Sequence, residues 1–501
     1  MLLPALVSAG LLSAAVQPIS HSAAYRFLQQ SSWGPNAASI AKVQQVGFAA
    51  YLDEQVSAPA SPITDVVLDA KGNGSITPVR QQFFVNAVHG QDQLRQRMAF
   101  ALSQIWVIST NKINAPNAVT TYERILQKDA FANYRTLMQN VTLSAAMGHY
   151  LDMVGNLKPD PKTGRGADEN YAREIMQLFT LGLNQLTGSA KGQPTYDQDT
   201  IEGFARAFTG WHYGATGTGE WLVPMVPVER DHDTTAKQLL TFGGVTHTMP
   251  ANRSALDDLN GALDNIFQHP NMGLFIGRQL IQHLVTSMPS DAYVNRVAAV
   301  FDGTAKNKRG DLKAVVEAIL LDTEARAADD KAPAAGEGHL AEPALAIAAL
   351  LRETGATVAA VNNLPNVSAS LSQDIFDPPT VFNFYAPQYD LPGKPAVNAP
   401  EFQILSTANS VTRANAMNDL LYDRVAGVKV DLSAYEPLVM GGPMTAPALM
   451  DKLNANLMGG LMPAGMEKPI ADYMAQQKTA HDKVLAAVYL ITSSWQWQVQ
   501  Q

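Results

Sequence analysis

The spacing of apolar residues along the chain predicts a protein built mainly from α-helices. In several blocks, apolar residues recur every three or four positions, which is the period of a helix with one buried face. These blocks are Ser22–Tyr51, Thr77–Ser109, Thr121–Met153, Leu259–Ser287, Tyr293–Phe301, Leu312–Leu321, Pro343–Glu353 and the terminal run HDKVLAAVYLITSSWQWQ. We therefore expect a mainly α, large multi-helix globular array with long irregular loops and at most short β pieces.

The second block contains the clearest buried helix. In the run DQLRQRMAFALSQIWVIS, one apolar stripe has Arg95 and Arg97 at its sides, and the carboxyl half is apolar all round. A helix that is apolar on every side is a buried one. The stripe consists of Leu94, Met98, Ala101, Ile105 and Ile108.

A helical hairpin is predicted after the loop 156–167, which is rich in Pro, Gly and Lys. Its first helix is DENYAREIMQLFTLGL, and its second is DTIEGFARAFTGW. Thr195 and Gln198 have the spacing of a capping box, so we expect them to open the second helix. The following stretch, 213–248, is dense in Gly, Thr, Trp and Pro and favours short extended pieces.

Charge and composition exclude several classes of function. The 501 residues include 36 basic and 45 acidic side chains, for a net charge of -9, and no long run of like charge. Phosphate binding needs clustered Lys and Arg, so we expect no nucleic-acid partner. The chain has no cysteine, which excludes disulfides, thiolate nucleophiles and iron–sulfur clusters.

The amino terminus has the features of an export signal. The apolar stretch Leu2–Val16 is too short to span a bilayer but has the length of a signal core. No Lys or Arg precedes it, and the alternative is a buried N-terminal helix. No other segment reaches the ~20 apolar residues of a membrane helix. We expect a periplasmic or secreted protein without an integral membrane segment.

The chain divides into four predicted parts. Residues 1–20 form the apolar signal or N-terminal segment, and residues 21–325 form the main helical domain. Residues 326–338 belong to a stretch of low complexity that is rich in Ala, Asp and Pro, which favours a linker. Residues 339–501 form a C-terminal helical region, which either is a separate domain or completes the first core.

Several long motifs, in order, resemble one known bacterial family. They are FLQQSSWGP, RQRMAFALSQIWVIS, MGHYLDMVGN, DENYAREIMQLFTLGL, ARAFTGW, RDHDTTAK, PPTVFNFYAP and PEFQI. Together they resemble the domain-of-unknown-function family 1800 over nearly the whole chain. The resemblance implies a large exported protein of unassigned function. It also suggests, as a partner, a member of an exported family related to sulfatases and phosphatases.

Glu174 is the carboxylate that the hairpin places closest to a buried face. On a helical wheel, Tyr171, Ile175 and Phe179 share a stripe, and Glu174 sits at its edge. Burial would raise its pKa and make it a candidate acid, base or metal ligand. The alternative is a structural ion pair with a neighbouring arginine. On the opposite face, Glu169 and Arg173 have the spacing of a surface pair.

The second helix of the hairpin offers Arg206 near its carboxyl end. Glu202 and Arg206 are spaced as an i, i+4 pair. Arg206 comes one turn before Thr209 and Trp211, where a glycine ends the helix. Trp211 either lines a pocket there or plugs the end of the core.

The triplet Asp231, His232 and Asp233 is the densest group of potential ligands in the chain. A carboxylate beside a histidine fixes its tautomer and raises its basicity, which catalysis or metal binding would use. The alternative is a surface loop held by local hydrogen bonds. The loop DPKTGRGADE lacks the alternating oxygen ligands of a calcium site.

Two classes of function follow from these residues. The first is an enzyme whose catalytic residues are Glu174, Arg206, His232 and Asp233. It acts either with a divalent metal bound by Glu174, His232 and Asp233 or by acid–base chemistry without a metal. The second is a non-catalytic binding or assembly protein of the cell envelope. The sequence contains no HExxH, GxSxG, Walker or dinucleotide fingerprint, which removes most support from common hydrolase and nucleotide functions.

Overall fold

The structure is a computed structural model that describes residues 18–186, 191–332, 336–440 and 446–500. The apolar stretch Leu2–Val16 lies outside the described residues. Within them, the chain forms many helices and only short two-stranded sheets. The mainly α prediction is therefore confirmed.

In residues 18–186 and 191–207 of the described chain, ten α-helices precede the first strand. They are α1 (His21–Ser31), α2 (Ala37–Val46), α3 (Phe48–Ser57), α4 (Thr77–His89), α5 (Gln93–Ile105), α6 (Pro116–Asp129), α7 (Tyr134–Thr142), α8 (Ala145–Tyr150), α9 (Asn170–Gln177) and α10 (Gln198–Ala207). The helices that follow are α11 (Ala255–Gln268), α12 (Asn271–Leu284), α13 (Asp291–Phe301), α14 (Leu312–Leu320), α15 (Pro343–Glu353), α16 (Leu364–Ser370), α17 (Thr407–Leu421), α18 (Ala446–Met458), α19 (Ala464–Met474), α20 (Ala480–Thr492) and α21 (Trp495–Gln498).

Short strands pair only in twos, always antiparallel, in the described part of the chain. The longest pair is a hairpin within the stretch where the sequence predicted extended pieces. The pairs are β1 (Trp211–His212) with β2 (Val226–Pro227), β3 (Lys237–Phe242) with β4 (Val245–Met249), β5 (His339–Leu340) with β8 (Val499–Gln500), and β6 (Thr357–Val358) with β7 (Val428–Lys429).

Glycines divide the first predicted block into α1, α2 and α3. Gly47, with φ 86°, ends α2 and opens α3. Gly34 follows α1 with φ 132°, and a Cβ there would lie 2.7 Å from the Cα of Ala349. A side chain at Gly34 would therefore separate α1 from α15. The apolar spacing continues across these breaks because all three helices bury a face in the same region.

The central helix α5 buries its predicted stripe but ends earlier than expected. Leu94, Met98 and Ala101 are fully buried, whereas Ile108 lies beyond the end of the helix at Ile105. Arg97, which the sequence placed beside the stripe, is also fully buried. The predicted burial of the apolar stripe is confirmed, but the polar side of α5 is also covered by other parts of the protein.

The predicted start of α10 needs a correction. Asp197, and not Thr195, caps the helix, because its carboxylate accepts a hydrogen bond from the backbone N–H of Thr200. The Thr195 hydroxyl instead donates to the carbonyl of Gly182 at 2.5 Å. Aspartate and threonine are both good caps, so spacing alone does not decide between them.

Two hydrophobic clusters form the core. The first is built from helices of the amino-terminal region, and the second mainly from residues after 340. Trp33, Phe84 and Phe100 belong to the second cluster although they come from the amino-terminal region. Helix α5 contributes to both clusters, since Met98 faces the first and Phe100 the second.

Part of the predicted linker packs against the first helices. The Arg326 guanidinium lies 5.4 Å from the ring centroids of both Phe27 and Phe48, and Asp329 lies 3.7 Å from Arg26. The proposed division of the chain into domains stays a prediction.

In the described part of the chain, no helix is long and apolar enough to cross a membrane.

Candidate functional site

The helical hairpin brings together the chain segments that carry the predicted site residues. Helix α9 packs on α10, with the rings of Tyr171 and Phe208 in edge contact at 5.3 Å. The carboxyl end of α10 leads into β1, and the loop before β3 returns beside it, so that Gly210 lies under His232. The three predicted segments are therefore neighbours.

Glu174 is half-buried, and one of its oxygens has no partner. Its Oε2 is buried without a hydrogen bond within the described residues, and no ion pair holds it there. Burial raises the pKa of Glu174, although the nearby Arg173 opposes the rise. Arg173 itself pairs with Glu169 at 2.8 Å, as the spacing predicted. The structural ion pair proposed as the alternative for Glu174 is not formed.

Arg206 makes a different contact from the one its spacing indicated. Its Nη1 donates to the Thr235 hydroxyl at 2.6 Å and to the carbonyl of Ala236 at 2.9 Å. Asp233 lies 3.9 Å from the same nitrogen. The predicted Glu202–Arg206 pair is thus replaced, because the loop before β3 packs against this side of α10. These hydrogen bonds from Arg206 hold the loop before β3 against α10.

His232 is buried and fully engaged. Its Nδ1 donates to the carbonyl of Thr209 at 2.9 Å, and its Nε2 lies 3.2 Å from Asp258. Lys237, itself buried, donates to Asp258 at 2.7 Å, and Arg253 does so at the same distance. The residues His232, Lys237, Arg253 and Asp258 are called the Asp258 cluster here. His232 therefore does not lie in a surface loop, and neither ring nitrogen is directed at an open cavity.

The predicted metal ligands do not converge. Nowhere in the described ranges do three or more His, Cys, Asp or Glu side chains stand where they could hold a metal ion. Among the described residues, Glu174 and His232 share no hydrogen bond or ion pair. The Asp233 carboxylate accepts from the backbone N–H and hydroxyl of Thr235 and lies 3.5 Å from Lys237. The hypothesis of a metal site at Glu174, His232 and Asp233 gains no support from this geometry.

The end of α10 is closed rather than open. Trp211 is 1% exposed and plugs the core, which is one of the two alternatives its position allowed. His212 lies 3.0 Å from Asp231 and is only partly covered. Arg206 does not line any of the cavities described below.

A groove on the other side of α9 was missed by the sequence analysis. It has a volume of about 400 Å³ and lies between α5, the end of α9, α12 and the loop 381–388. Apolar side chains form much of its wall, and Leu183 and Phe382 remain 55% and 45% exposed there. This volume is in the range of small-molecule sites.

Five side-chain amides supply the polar lining of the groove, and none of its lining residues is ionisable. The amides belong to Gln104, Gln177, Asn184, Gln279 and Gln388. Gln279 is 5% exposed, and its Nε2 donates to no group of the described chain. Buried polar groups are normally hydrogen-bonded, so an unpartnered donor at the wall of a groove marks a place for a ligand.

A buried polar network holds the floor of the groove. Glu342, 2% exposed, accepts hydrogen bonds from Gln104 at 3.1 Å, Gln373 at 2.5 Å and Tyr385 at 2.9 Å. Gln104 in turn accepts from Asn383 at 2.8 Å. These contacts fix the Gln104 amide, which both lines the groove and belongs to the RQRMAFALSQIWVIS motif. The motifs PPTVFNFYAP, RQRMAFALSQIWVIS and DENYAREIMQLFTLGL all contribute residues to this region.

Comparison with known proteins agrees with these motifs. A family model described as "Protein of unknown function (DUF1800)" matches residues 26–499. No curated protein and no solved structure matches the chain. The match covers nearly the whole chain, as the resemblance predicted, and the protein therefore belongs to this family of proteins of unknown function.

Proposed function

We propose that the protein binds an uncharged glycan, without catalysis, in the groove between α5, α9, α12 and the loop 381–388. The observation that carries the proposal is the buried, unpartnered Nε2 of Gln279 at the groove wall. A ligand hydroxyl or carbonyl oxygen would accept this hydrogen bond. The cost of the unpaired donor, about 1–3 kcal/mol, would be recovered on binding.

The chemistry of the lining favours a neutral polar ligand. Side-chain amides both donate and accept hydrogen bonds, as sugar hydroxyls do. The groove has no ionisable side chain to attract a charged ligand. Phe275 and Phe382 offer apolar surface to the faces of sugar rings. Glycoside hydrolysis commonly uses two carboxylates, and the absence of both from the groove lining favours binding over cleavage.

The test is binding of neutral oligosaccharides, first on a glycan array and then by calorimetry on the full chain. Gln279→Leu should weaken binding about tenfold, which corresponds to about 1.4 kcal/mol. Gln268→Leu makes the same chemical change at an exposed position of α11 and should leave binding unchanged. Equal affinities for wild type and Gln279→Leu, or no saturable binding of any neutral glycan, would refute the proposal.

The second candidate function is acid–base catalysis by Glu174. Its raised pKa and unpartnered Oε2 favour this function. Tyr196, whose hydroxyl bonds Gln177 of the groove at 3.4 Å, has its pKa raised to about 12 by burial and by Glu174. If a bound glycan is cleaved, Glu174→Gln should abolish release of reducing ends and leave binding intact. Binding without release of reducing ends would end this candidate.

We further propose that binding takes place in the periplasm or outside the cell. The low fraction of charged residues, 16%, and the lack of cysteine support this location. Cell fractionation of the host that makes the protein would test it, and recovery only in the cytoplasm would contradict it. Co-purification would test the partner from the sulfatase- and phosphatase-related family.

A further inference from the structure

A second site surrounds Glu123 on α6, and one of its cavities shares Gln104 with the wall of the groove. Two small cavities adjoin at this side chain, and both are also lined by Phe100 and Phe376. The first lies between α4, α5 and α6, beneath the segment at Ile63 and Thr64. The second extends towards Ser103 and Asn383.

Glu123 has no protein partner at this position. Within the described residues its carboxyl group makes no hydrogen bond and no ion pair, whereas nearby Arg124 is engaged by Asp65 at 2.7 Å and by the carbonyl of Ile63. Burial raises the pKa of Glu123 to about 8. Ionisation of a carboxyl group in such a position is energetically unfavourable unless a cation binds next to the carboxylate.

Asn86, Gln96 and Gln127 are amide side chains that line the first cavity. Asn86 donates its Nδ2 to the carbonyl of Pro62, and Gln127 donates its Nε2 to the carbonyl of Ser61, both at 2.8 Å. Gln96 likewise donates its Nε2 to Asp92 at 2.9 Å. Each of these amide groups therefore has one N–H engaged by the protein, and its side-chain oxygen keeps its accepting capacity.

Aromatic rings complete the lining. Phe83, Phe100 and Phe376 all line the first cavity, and the Phe83 ring centroid lies 5.6 Å from that of Phe100 and 5.8 Å from that of Phe376. Phenyl rings attract cations that approach their faces. The lining of both cavities contains the Glu123 carboxyl group, amide groups and aromatic rings but no lysine or arginine, which matches a ligand that carries positive charge.

The free volume limits the ligand to a small group. Each cavity offers about 30 Å³, and one water-sized group needs roughly 10–15 Å³ of such volume. We propose that the Glu123 cavities bind the primary ammonium group of a small amine, with the Glu123 carboxylate as counter-ion and the amide oxygens as hydrogen-bond acceptors. The smallest probe of this class, methylammonium, has two heavy atoms and fits the space.

The experiment measures the thermal stability of the full chain against methylammonium chloride, with sodium chloride at equal ionic strength as reference. Methylammonium should give saturable stabilisation, because a ligand that binds only the native state raises its melting temperature. The apparent affinity should rise about tenfold per pH unit up to about pH 8, as Glu123 ionises. Tetramethylammonium, which is larger and has no N–H, should not stabilise.

Glu123→Gln should abolish the methylammonium effect while the protein stays folded, because glutamine has the shape of the neutral acid. Glu202→Gln changes an exposed glutamate and should leave the effect intact. The proposal is overturned if Glu123→Gln responds like wild type, if tetramethylammonium stabilises equally, or if methylammonium acts no better than sodium. The glycan groove does not enter this assay, so each proposal can fail alone.

Discussion

Replacing Asp258 by asparagine tests whether the Asp258 cluster is a structural element. Asp258 is fully buried and accepts hydrogen bonds at 2.7 Å from both Lys237 and Arg253. Asparagine keeps the shape but loses the charge, and Lys237, which is 2% exposed, would lose its closer counter-ion and keep only Asp233, at 3.5 Å. We expect Asp258→Asn to destabilise the protein severely.

The expected magnitude follows from burial. Removing one partner of a buried ion pair costs about 3–5 kcal/mol, because the other charge is left uncompensated. The same helix provides a control, since Asp264 also accepts from an arginine, Arg135, at 2.7 Å, but its side chain is 64% exposed. Exposed pairs contribute about 0–1 kcal/mol, so Asp264→Asn should have little effect.

Urea unfolding followed by circular dichroism measures both variants against wild type. Burial raises the pKa of Asp258, but hydrogen bonds from His232 and Lys237 more than offset this and leave the pKa lowered. The stabilisation is therefore present above the unfolded pKa of about 3.9 and disappears as the pH falls through the lowered native pKa. The reasoning is refuted if Asp258→Asn costs no more than Asp264→Asn at neutral pH.

Three further predictions concern other positions. Because burial raises the pKa of Glu123 from 4.5 to about 8, wild type should lose stability as the pH rises across that interval, and urea midpoints should show that Glu123→Gln does not. Gln279→Leu removes an unpartnered donor and should stabilise the unliganded protein by about 1–3 kcal/mol in the same assay; a destabilised variant would contradict this. A Cβ at Gly203 would lie 1.8 Å from the carbonyl oxygen of Gln238. Gly203→Ala should therefore lower the stability of the protein by about 1–3 kcal/mol or more, which a lower melting temperature would show. An unchanged melting temperature would disprove the close packing of α10 on β3.

The sequence predicted most helices because their signals are local. The predicted Pro343–Glu353 coincides with α15, where Pro343 occupies the first turn. The predicted helix boundaries are wrong where a contact between residues distant in sequence determines where a helix ends. Gly34, for example, breaks the first block at its close approach to Ala349, and nothing nearby in sequence reveals that neighbour.

The candidate site was predicted less well for the same reason. Helical spacing correctly brought Glu174 to a partly buried edge and joined Glu169 to Arg173. It could not show that the partner of His232 is Asp258, on another helix. Gln279 and Glu123 gave no signal, because a glutamine or glutamate on a helix is unremarkable until its surroundings are known.

Helix α5 is a wall shared by both hydrophobic clusters, with Met98 on one side and Phe100 on the other. Its Gln104 also reaches the groove and the buried Glu342. If either cluster unfolds, one face of α5 loses its packing contacts. The other cluster is then weakened, because α5 also forms part of it. The two hydrophobic clusters should therefore unfold together in one cooperative transition. A ligand bound in the groove should stabilise both clusters against unfolding.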